Sequence, residues 1–374
     1  MKRSFQIVVF VMLTFILVAC NGGSNDHENS EVVTEESTRQ NLEVHFIDVD
    51  QGDATLLLGP DFSILVDAGR HDRDEVVPYL QSVGVTSLDL LVGTHPHADH
   101  IGQMDQVIER FDVEEIWMSG DLHTSQTFEH VLDAALASEA NYHEPRAGET
   151  HTFGAATIEV IHPEELIDDL NEGSVSMRIQ FGDVRFLFTG DVEEWGEADI
   201  LARGHDVGAE IFQLGHHGSS TSNTSEFLEA VDPEIAIYSA GEDNSYGHPH
   251  TEVVERIRTM NIELYGTDVH GTIIVETDGV DYEVVTEYTG TIDESEPEVV
   301  EEVEETAQAL CIDINSASKE ELADIIHIDE ARSDQLIELR PHHTINGLKR
   351  INGIGDGRLA EIKEQGLACV KEGA

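Results

Sequence analysis

The stretch THPHADHIG, Thr94 to Gly102, directly follows the apolar run LDLLVG. Imidazole and carboxylate groups are poor core material, so packing does not explain why they cluster here. His95 and His97 alternate along an extended chain and can reach one metal ion, whereas Asp99 and His100 follow on the turn and can reach a second. Imidazole nitrogens and carboxylate oxygens suit Zn²⁺ or Mn²⁺. The stretch therefore predicts a strand whose end carries ligands for two divalent metal ions.

Short β-rich runs alternate with helical patterns from residue 41 to about residue 290. Strands are predicted at LEVHFIDVD, ATLLLG, FSILVDAG, LDLLVGTH, ATIEVIHP, VRFLFTGD, AEIFQLGHH, EIAIYSAG and GTIIVETDG, and helices at DEVVPYLQSVG, MDQVIERF, QTFEHVLDAALASEA and TEVVERIRTM. This mixture predicts a layered α/β domain with buried sheets over residues 41–290.

The N-terminus has the features of a targeting segment. Lys2 and Arg3 precede the apolar run FQIVVFVMLTFILVA, which ends in LVAC at Cys20 and is followed by polar residues. The pattern resembles a bacterial lipoprotein signal, in which the cysteine is lipidated. It predicts a signal peptide over residues 1–20, a flexible tether over residues 21–40, and an extracytoplasmic protein anchored to the membrane by a lipid on Cys20. The alternative is an uncleaved membrane anchor, although the run is short for a span of about 20 residues.

The charge of the chain changes toward its C-terminus. Acids outnumber bases 76 to 20, a net charge of −56, which argues against unaided binding to nucleic acid or anionic lipid. Asp293 to Glu305 holds eight acids and no base, so a linker is predicted over residues 291–308. The last 64 residues carry eight Lys/Arg and twelve Asp/Glu. This end is therefore much less acidic per residue, and a separate domain is predicted over residues 309–374.

Two cysteines bracket that C-terminal domain. Cys311 and Cys369 lie in a chain that the signal segment sends to a compartment permitting oxidation. A disulfide between them is predicted, worth about 4 kcal/mol in the chain-entropy model. Two buried free thiols are the alternative.

Six motifs in the first domain together carry a family resemblance. DVDQGDATLL, DAG, THPHADHIG, FLFTGD, LGHHGS and YGHPH occur in this order between residues 48 and 250. They resemble the metallo-β-lactamase-fold hydrolases, and more narrowly the soluble domain of the ComEC-like competence family. The resemblance implies an αβ/βα sandwich with a two-metal site at one edge. By motif position, the metal ligands would be His95, His97, Asp99, His100, Asp191 as the bridge, and His217, with His216 as the alternative to His217.

The same resemblance assigns roles around the metals. Two divalent ions would activate a water for attack at phosphorus, with Asp99 orienting it or acting as base. His248 and His216 are both candidates to protonate the leaving oxygen or to bind phosphate. Asp48 and Asp53 would orient ligand histidines. Many members of the wider fold have a further histidine for the first metal; Asn171 and Ser174 lie where it would fall, as in ComEC-like sequences. The residues expected to contact substrate are His216, Ser219, Asn171 and Ser174, whereas His143, His151 and His162 match no motif.

The C-terminal domain resembles the helix-hairpin-helix domain of ComEA-type DNA receptors, from IDINSAS to GIGDGRLAEI. The resemblance implies a small all-α domain whose second hairpin binds DNA phosphates through the turn at Gly353, Gly355 and Gly357 and through Lys349, Arg350 and Arg358. In the first hairpin, Asp329 and Glu330 would repel phosphate, so weak, non-specific DNA binding is expected. The alternative is a helical scaffold that touches no DNA.

The two domains together predict a surface-anchored, metal-dependent phosphodiester hydrolase, with a DNA nuclease acting on extracellular or incoming DNA as the leading hypothesis. One alternative is a phosphodiesterase acting on a cell-wall polymer or small phosphodiesters. A second is a DNA-capture lipoprotein whose hydrolase domain is only structural. The expected cofactors are two divalent ions, Zn²⁺ or Mn²⁺, and no obligate protein partner is evident in the sequence.

Overall fold

The structure is a computed structural model that describes residues 41–242, 244–292, 312–323, 325–342, 345–365 and 367–370. The predicted signal peptide with Cys20, the tether, most of the acidic linker, and Cys311 lie outside these residues. In the described part of the chain, no helix is both long and apolar enough to cross a membrane.

The strands of the first domain form two sheets. Their bounds are β1 Leu42–Phe46, β2 Thr55–Leu58, β3 Ser63–Val66, β4 Ser87–Gly93, β5 Asp112–Met118, β6 Asn141–His143, β7 Thr150–Phe153, β8 Ala156–His162, β9 Ser176–Phe181, β10 Val184–Phe188, β11 Ile211–Gln213, β12 Ile235–Tyr238, β13 Glu263–Gly266, β14 Ile273–Thr277 and β15 Tyr282–Thr286. One sheet has the order β15-β14-β1-β2-β3-β4-β5-β6, and the other has the order β13-β12-β11-β10-β9-β8-β7.

Helices cover the outer faces of both sheets. They are α1 Val76–Ser82, α2 Met104–Arg110, α3 Gln126–Ala137, α4 Glu194–Arg203, α5 Ser225–Val231, α6 Thr251–Thr259 and the single turn α7 Thr267–His270. The first three share a buried apolar cluster with the eight-stranded sheet, and α4, α5 and α6 share one with the seven-stranded sheet. The predicted α/β sandwich is confirmed.

Alternating side chains along the inner strands explain why the sheets stack. In β3, Ile64 and Val66 lie in the cluster between the sheets, whereas Leu65 points to the helices on the outer side. In β4, Leu90 belongs to the inner cluster and Leu91 to the outer one. Successive side chains of a strand face opposite sides, so such near-continuous apolar strands are buried on both faces.

The ends of three strands place the motif residues at one edge of the sandwich. β4 of the first sheet leads into His95, and β10 and β11, which are parallel neighbours in the second sheet, lead into Asp191 and the LGHHGS turn. The Thr94 carbonyl accepts a hydrogen bond of 2.9 Å from the Val175 amide, which ties the two sheets together beside these loops.

The C-terminal domain has its own small core. Its elements are β16 Ile312–Asp313, α8 Lys319–Leu322, α9 Glu330–Glu338, a 3-10 turn Ile345–Arg350, α10 Asp356–Gln365 and β17 Ala368–Cys369. The all-α prediction is wrong in one respect, because β16 and β17 form a parallel pair that joins the two ends of the domain. Ser318 caps α8 in a capping box with Glu321. Cys369 is disulfide-bonded, but Cys311 lies outside the described residues, so their pairing stays a prediction.

Candidate metal centre

Three buried side chains converge on one point at this edge. The Nε2 atoms of His100 and His217 lie 3.3 Å apart, and they lie 3.2 Å and 3.9 Å from Asp191 Oδ1. That carboxylate oxygen is buried and accepts no hydrogen bond. A buried charge without a partner is costly. The arrangement is therefore suited to a cation held by two imidazole nitrogens and one carboxylate oxygen.

Both imidazoles are fixed from behind. His100 Nδ1 lies 2.8 Å from Asp67 Oδ2, and His217 Nδ1 lies 3.0 Å from the Ser239 carbonyl oxygen. Asp67 also accepts hydrogen bonds of 2.8 Å from the amide and the hydroxyl of Thr94. A proton held on Nδ1 leaves Nε2 free to bind a metal, so these acceptors select the tautomer that the centre requires.

Two further carboxylates approach these histidines from opposite sides. Asp53 lies within 4.8 Å of the donor atoms of His100, Asp191 and His217, but it faces the Nδ1 atoms, at 3.9 Å and 3.7 Å. Asp99 Oδ2 instead lies 3.5 Å from His217 Nε2. Asp53 is therefore placed to orient the rings, whereas Asp99 is on the side where a metal would bind.

A second group of donors faces the other oxygen of Asp191. His95 Nε2 lies 2.9 Å from His97 Nδ1 and 3.5 Å from Asp191 Oδ2. His216 Nε2 approaches the same oxygen at 3.6 Å. Since its two oxygens face different histidine sets, Asp191 has the geometry of a bridging ligand between two cations.

The pKa values of the histidines agree with this donor set. Burial lowers the pKa of His95 and of His97, so both rings are neutral and can bind a metal. Burial also opposes the charged forms of His100 and His217, but Asp191 and the other carboxylates beside each ring together outweigh it and raise the pKa of each ring. Positive charge is thus stabilised next to Asp191. The unpartnered Asp191 oxygen and the surrounding imidazoles fit two divalent ions.

The turn that carries His216 and His217 is unusual and well supported. Both residues adopt left-handed φ values, 51° and 56°. The Asn223 side chain accepts a 2.9 Å hydrogen bond from the Gly215 amide and donates to the carbonyl oxygens of Gly215, at 2.9 Å, and Ser219, at 3.1 Å. The backbone conformation that points the two histidines inward is therefore held by one buried amide.

The residues predicted to contact substrate are not all placed for it. Asn171 lines the cleft next to His97, and its buried Oδ1 accepts no hydrogen bond. Ser174 Oγ instead accepts a 3.2 Å hydrogen bond from the Asp191 amide. Ser219 is buried, and its hydroxyl lies 3.0 Å from Thr221 Oγ1 within its own loop. Of these three, only Asn171 is positioned to meet a substrate.

His216 and His248 differ in their suitability as a proton donor. Burial and the neighbouring imidazoles lower the pKa of His248 to about 3, so its ring is neutral at pH 7. Burial also disfavours the charged form of His216, but Asp191 and Glu193 raise its pKa. Of the two candidates for the acid, His216 is therefore favoured over His248 by its pKa.

Two supporting residues were missed in the sequence. Ser239 acts through its backbone carbonyl, which no sequence pattern marks. Glu193 Oε1 lies 3.4 Å from His216 Nδ1 and accepts a hydrogen bond from Thr221 Oγ1. Asp67 belongs to the DAG motif, to which the sequence assigns no role. Its position directly after a buried strand could have marked it as a residue that orients a metal ligand, here His100, 33 residues further along the chain.

The C-terminal domain lies beside the metal centre. A cleft of about 880 Å³ is lined by His97 and Asn171 on one side and by Lys349, Arg350 and Lys363 on the other. Arg350 Nε lies 3.5 Å from Asp168 Oδ2 across this cleft. The three basic side chains are therefore near the entrance to the donor group of His95 and His97.

The predicted glycine turn precedes α10. Gly353 has a left-handed φ of 87°, and Gly355 has open space around it. Arg358 donates to the Gly353 carbonyl oxygen. Arg332, from the first hairpin, donates to the Asn352 carbonyl oxygen at 3.2 Å. Gly357 lies within α10. Both arginines thus support the backbone of the turn, and the contribution of Arg332 was not predicted.

Comparison with known proteins agrees with this architecture. Residues 47–242 match the model of the Metallo-beta-lactamase superfamily. ComE operon protein 3 of Bacillus subtilis is 28% identical over 251 residues, covering 62% of this chain and 32% of that protein. Competence protein ComA of Neisseria gonorrhoeae is 31% identical over 231 residues, covering 60% and 31%. A Deoxyribonuclease of Thioalkalivibrio sp. is 48% identical over 64 residues, covering 17% and 18%. The chain thus spans no more than about a third of each of these relatives.

Proposed function

Because this chain belongs to the metallo-beta-lactamase superfamily, we propose that it is a metal-dependent phosphodiester hydrolase and that its substrate is DNA. The observation that carries the proposal is the division of the Asp191 carboxylate between two histidine groups. Oδ1 faces His100 and His217, and Oδ2 faces His95. Paired divalent ions supply a nucleophile at neutral pH and neutralise charge on phosphate oxygens.

The side chains around the centre suggest a division of labour. Asp99 is ionised, because His217 and His100 outweigh burial and hold its pKa below the usual range; it can orient the nucleophile and accept its proton. His216, whose pKa is raised, can donate a proton to the leaving oxygen. Asn171 can hydrogen-bond the substrate at the mouth of the cleft. In this scheme His248, whose ring is neutral, binds the substrate and does not donate a proton to the leaving oxygen.

The choice of DNA rests on features outside the metal centre. Two of the relatives are named a competence protein and a deoxyribonuclease. The C-terminal domain resembles a helix-hairpin-helix module, and its Lys349, Arg350 and Lys363 face the cleft. A phosphate backbone bound there would lie next to His97. The tail would also raise the local concentration of DNA near the centre. Binding is expected to be weak and non-specific, given the strongly acidic chain.

The proposed cellular setting follows from the N-terminal sequence. A lipid on Cys20 would hold the enzyme outside the cytoplasmic membrane, where it meets extracellular or incoming DNA. The proposed cofactors are two Zn²⁺ or two Mn²⁺ ions, since both metals accept imidazole and carboxylate ligands.

A smaller substrate is the second candidate. Asp121, Asp168 and Asp169 also line the cleft, and Asp168 is close to Arg350. Carboxylates repel a polyanion, so this side of the cleft favours a short phosphodiester, or a cell-wall polymer of lower charge density, over duplex DNA.

The test uses the full chain, with its metal content determined, in Mn²⁺ or Zn²⁺ over a range of salt concentrations. Linear DNA and a small chromogenic phosphodiester are the two substrates, and Asp191→Asn is the inactive comparison. We expect both substrates to be cleaved only when metal and Asp191 are present. If the protein cleaved the small diester but left DNA intact, DNA would not be the substrate. If a folded, metal-loaded protein cleaved neither substrate, the hydrolase proposal would be overturned.

A further inference from the structure

A second cluster of metal-binding side chains lies apart from the Asp191 centre and shares no residue with it. His143, Glu149 and His151 each offer one donor atom, and these atoms lie within 4.8 Å of one another. His143 Nε2 lies 2.7 Å from Glu149 Oε2, and His151 Nε2 lies 3.0 Å from the same oxygen. Two imidazoles that point at one carboxylate oxygen are one small rearrangement away from sharing a cation with it.

The cluster is held in place by its surroundings. The second oxygen of Glu149 accepts a 3.0 Å hydrogen bond from the Arg146 amide. The buried ring of Trp117 packs edge-on against both imidazoles, with ring centroids 5.8 Å and 4.6 Å away. Since the carboxylate and both rings are fixed before any ion binds, little conformational freedom is lost on binding.

The distances fit zinc. Zinc binds imidazole nitrogen and carboxylate oxygen at about 2.0–2.2 Å, so the donor atoms of a tetrahedral site lie about 3.3 Å apart. The observed separations of 2.7 Å and 3.0 Å from the Glu149 oxygen are slightly shorter than that spacing, and the two imidazole nitrogens lie within 4.8 Å of each other. The three side chains are between a quarter and two fifths exposed, which leaves an entry path and room for water as a fourth ligand.

The position of the cluster suggests what an ion would do there. His143 ends β6, the last strand of the eight-stranded sheet, whereas His151 lies in β7, the last strand of the seven-stranded sheet. We propose that His143, Glu149 and His151 form a third divalent-metal site, suited to zinc, that cross-links the edge strands of the two sheets. The site is structural, because it contacts none of the residues assigned to hydrolysis.

The experiment compares the wild-type full chain with the His143→Gln/His151→Gln double variant and with Glu149→Gln, using zinc alone as the probe. After equilibration with micromolar Zn²⁺ and removal of free metal, we expect the wild type to retain one more zinc per chain than either variant. At about 100 times the dissociation constant of the site, zinc should raise the Tm of the wild type by about 5 °C more than that of the variants. Hydrolytic activity should be unchanged in all of them.

The two variant designs separate metal binding from a simple hydrogen-bonded clamp. Glu149→Gln keeps an oxygen that can accept from an imidazole but removes the charge that a cation needs. The exposed His130→Gln controls for loss of a surface histidine. Equal zinc content and an equal zinc-dependent rise in Tm in wild type and variants would overturn the proposal, even if the variants are less stable without metal.

Discussion

At the scale of single residues, the carboxylates around the metal centre differ in what compensates their charge. Asp191 is surrounded by imidazoles, and Asp67 accepts from His100 and Thr94. Glu172 is buried, and no basic side chain of the described residues pairs with it: Oε2 accepts from the amides of Glu193 and Gly196, and Oε1 accepts no hydrogen bond there. Burial and the charge of Glu193 raise the pKa of Glu172 to about 8.

That difference makes stability depend on pH in a defined direction. The pKa of Glu172 is about 8 in the folded chain and about 4.3 in the unfolded chain, so the folded state binds the extra proton between these values. The stabilisation that comes from this bound proton is complete below pH 4 and is lost as pH rises to 8. Glu172→Gln keeps one acceptor oxygen and cannot titrate. The variant should therefore gain about 4 kcal/mol over the wild type between pH 5 and pH 9, because about three pH units separate pH 5 from the folded pKa.

Thermal unfolding over that pH range checks this expectation. Glu229→Gln, an exposed position on α5, serves as the matched control and should follow the wild type at every pH. If the Tm curves of wild type and Glu172→Gln ran parallel from pH 5 to pH 9, Glu172 would not carry a proton in the folded chain.

The residues that bear metal donors were accessible from sequence, but their supports were not. His95, His97, Asp99 and His100 lie in one short motif, and Asp191 ends a recognisable strand. Their expected roles remain predictions. The role of Ser239 depends on a carbonyl 22 residues from His217 along the chain, and such a contact exists only once β11 and β12 are paired.

At the scale of elements, the most constrained piece is the turn Gly215–Gly218. Asn223→Ala would remove three hydrogen bonds to this turn and leave the Gly215 amide and carbonyl unpaired in a buried place. Asn223 also has a left-handed φ of 59°, which alanine tolerates poorly. We expect a loss of about 3 kcal/mol in the free energy of unfolding and weaker metal retention, because His217 is no longer held.

Urea unfolding and metal content after dialysis measure the two effects together. Asn223→Gly is the control for the backbone, since it removes the same three hydrogen bonds but accepts the left-handed φ. Its loss of stability should be smaller than that of Asn223→Ala, whereas its loss of metal should be similar. Wild-type stability and metal content in Asn223→Ala would show that the turn holds its shape without this side chain.

Strands were predictable where apolar residues run together and were missed where charge interrupts them. The nine predicted runs each contain a strand, from β1 to β14. β5 carries Asp112 and Glu114 on its exposed positions, and β6 has only three residues, two of them exposed. Such edge and near-edge segments are strands because a neighbouring strand pairs with them, which their own sequence does not encode.

At the scale of the whole molecule, the sequence predicted a two-layer sheet sandwich and a separate C-terminal domain, but not their relative placement. The apolar pattern of each domain specifies its own core. The contact between them depends on few side chains, among them Arg350 and Asp168. Those residues carry no periodic signal, so the cleft beside His97 was not foreseeable.

The cleft leads to the last prediction, which assumes the proposed DNA substrate. Replacing Lys349, Arg350 and Lys363 by glutamine removes the three cations that line the cleft on the C-terminal side. We expect KM for DNA to rise at least about tenfold at moderate salt. The slope of log KM against log salt should become shallower by about 2 to 3, because binding releases about one counterion for each phosphate contact and the variant makes fewer contacts. Cleavage of a small phosphodiester should keep its kcat.

Asp168→Asn gives the opposite change in the same cleft. It frees Arg350 from a carboxylate 3.5 Å away, so DNA should bind more tightly while the small diester is unaffected. Arg350→Gln alone is compared with Arg110→Gln, which removes one positive charge at an exposed position on α2 that does not line the cleft. If these two single variants raised KM for DNA equally, only overall charge would matter. A lower kcat for the small diester in the triple variant would instead show that the C-terminal domain shapes the metal centre itself, and the cleft would then be a structural contact and not a path for substrate.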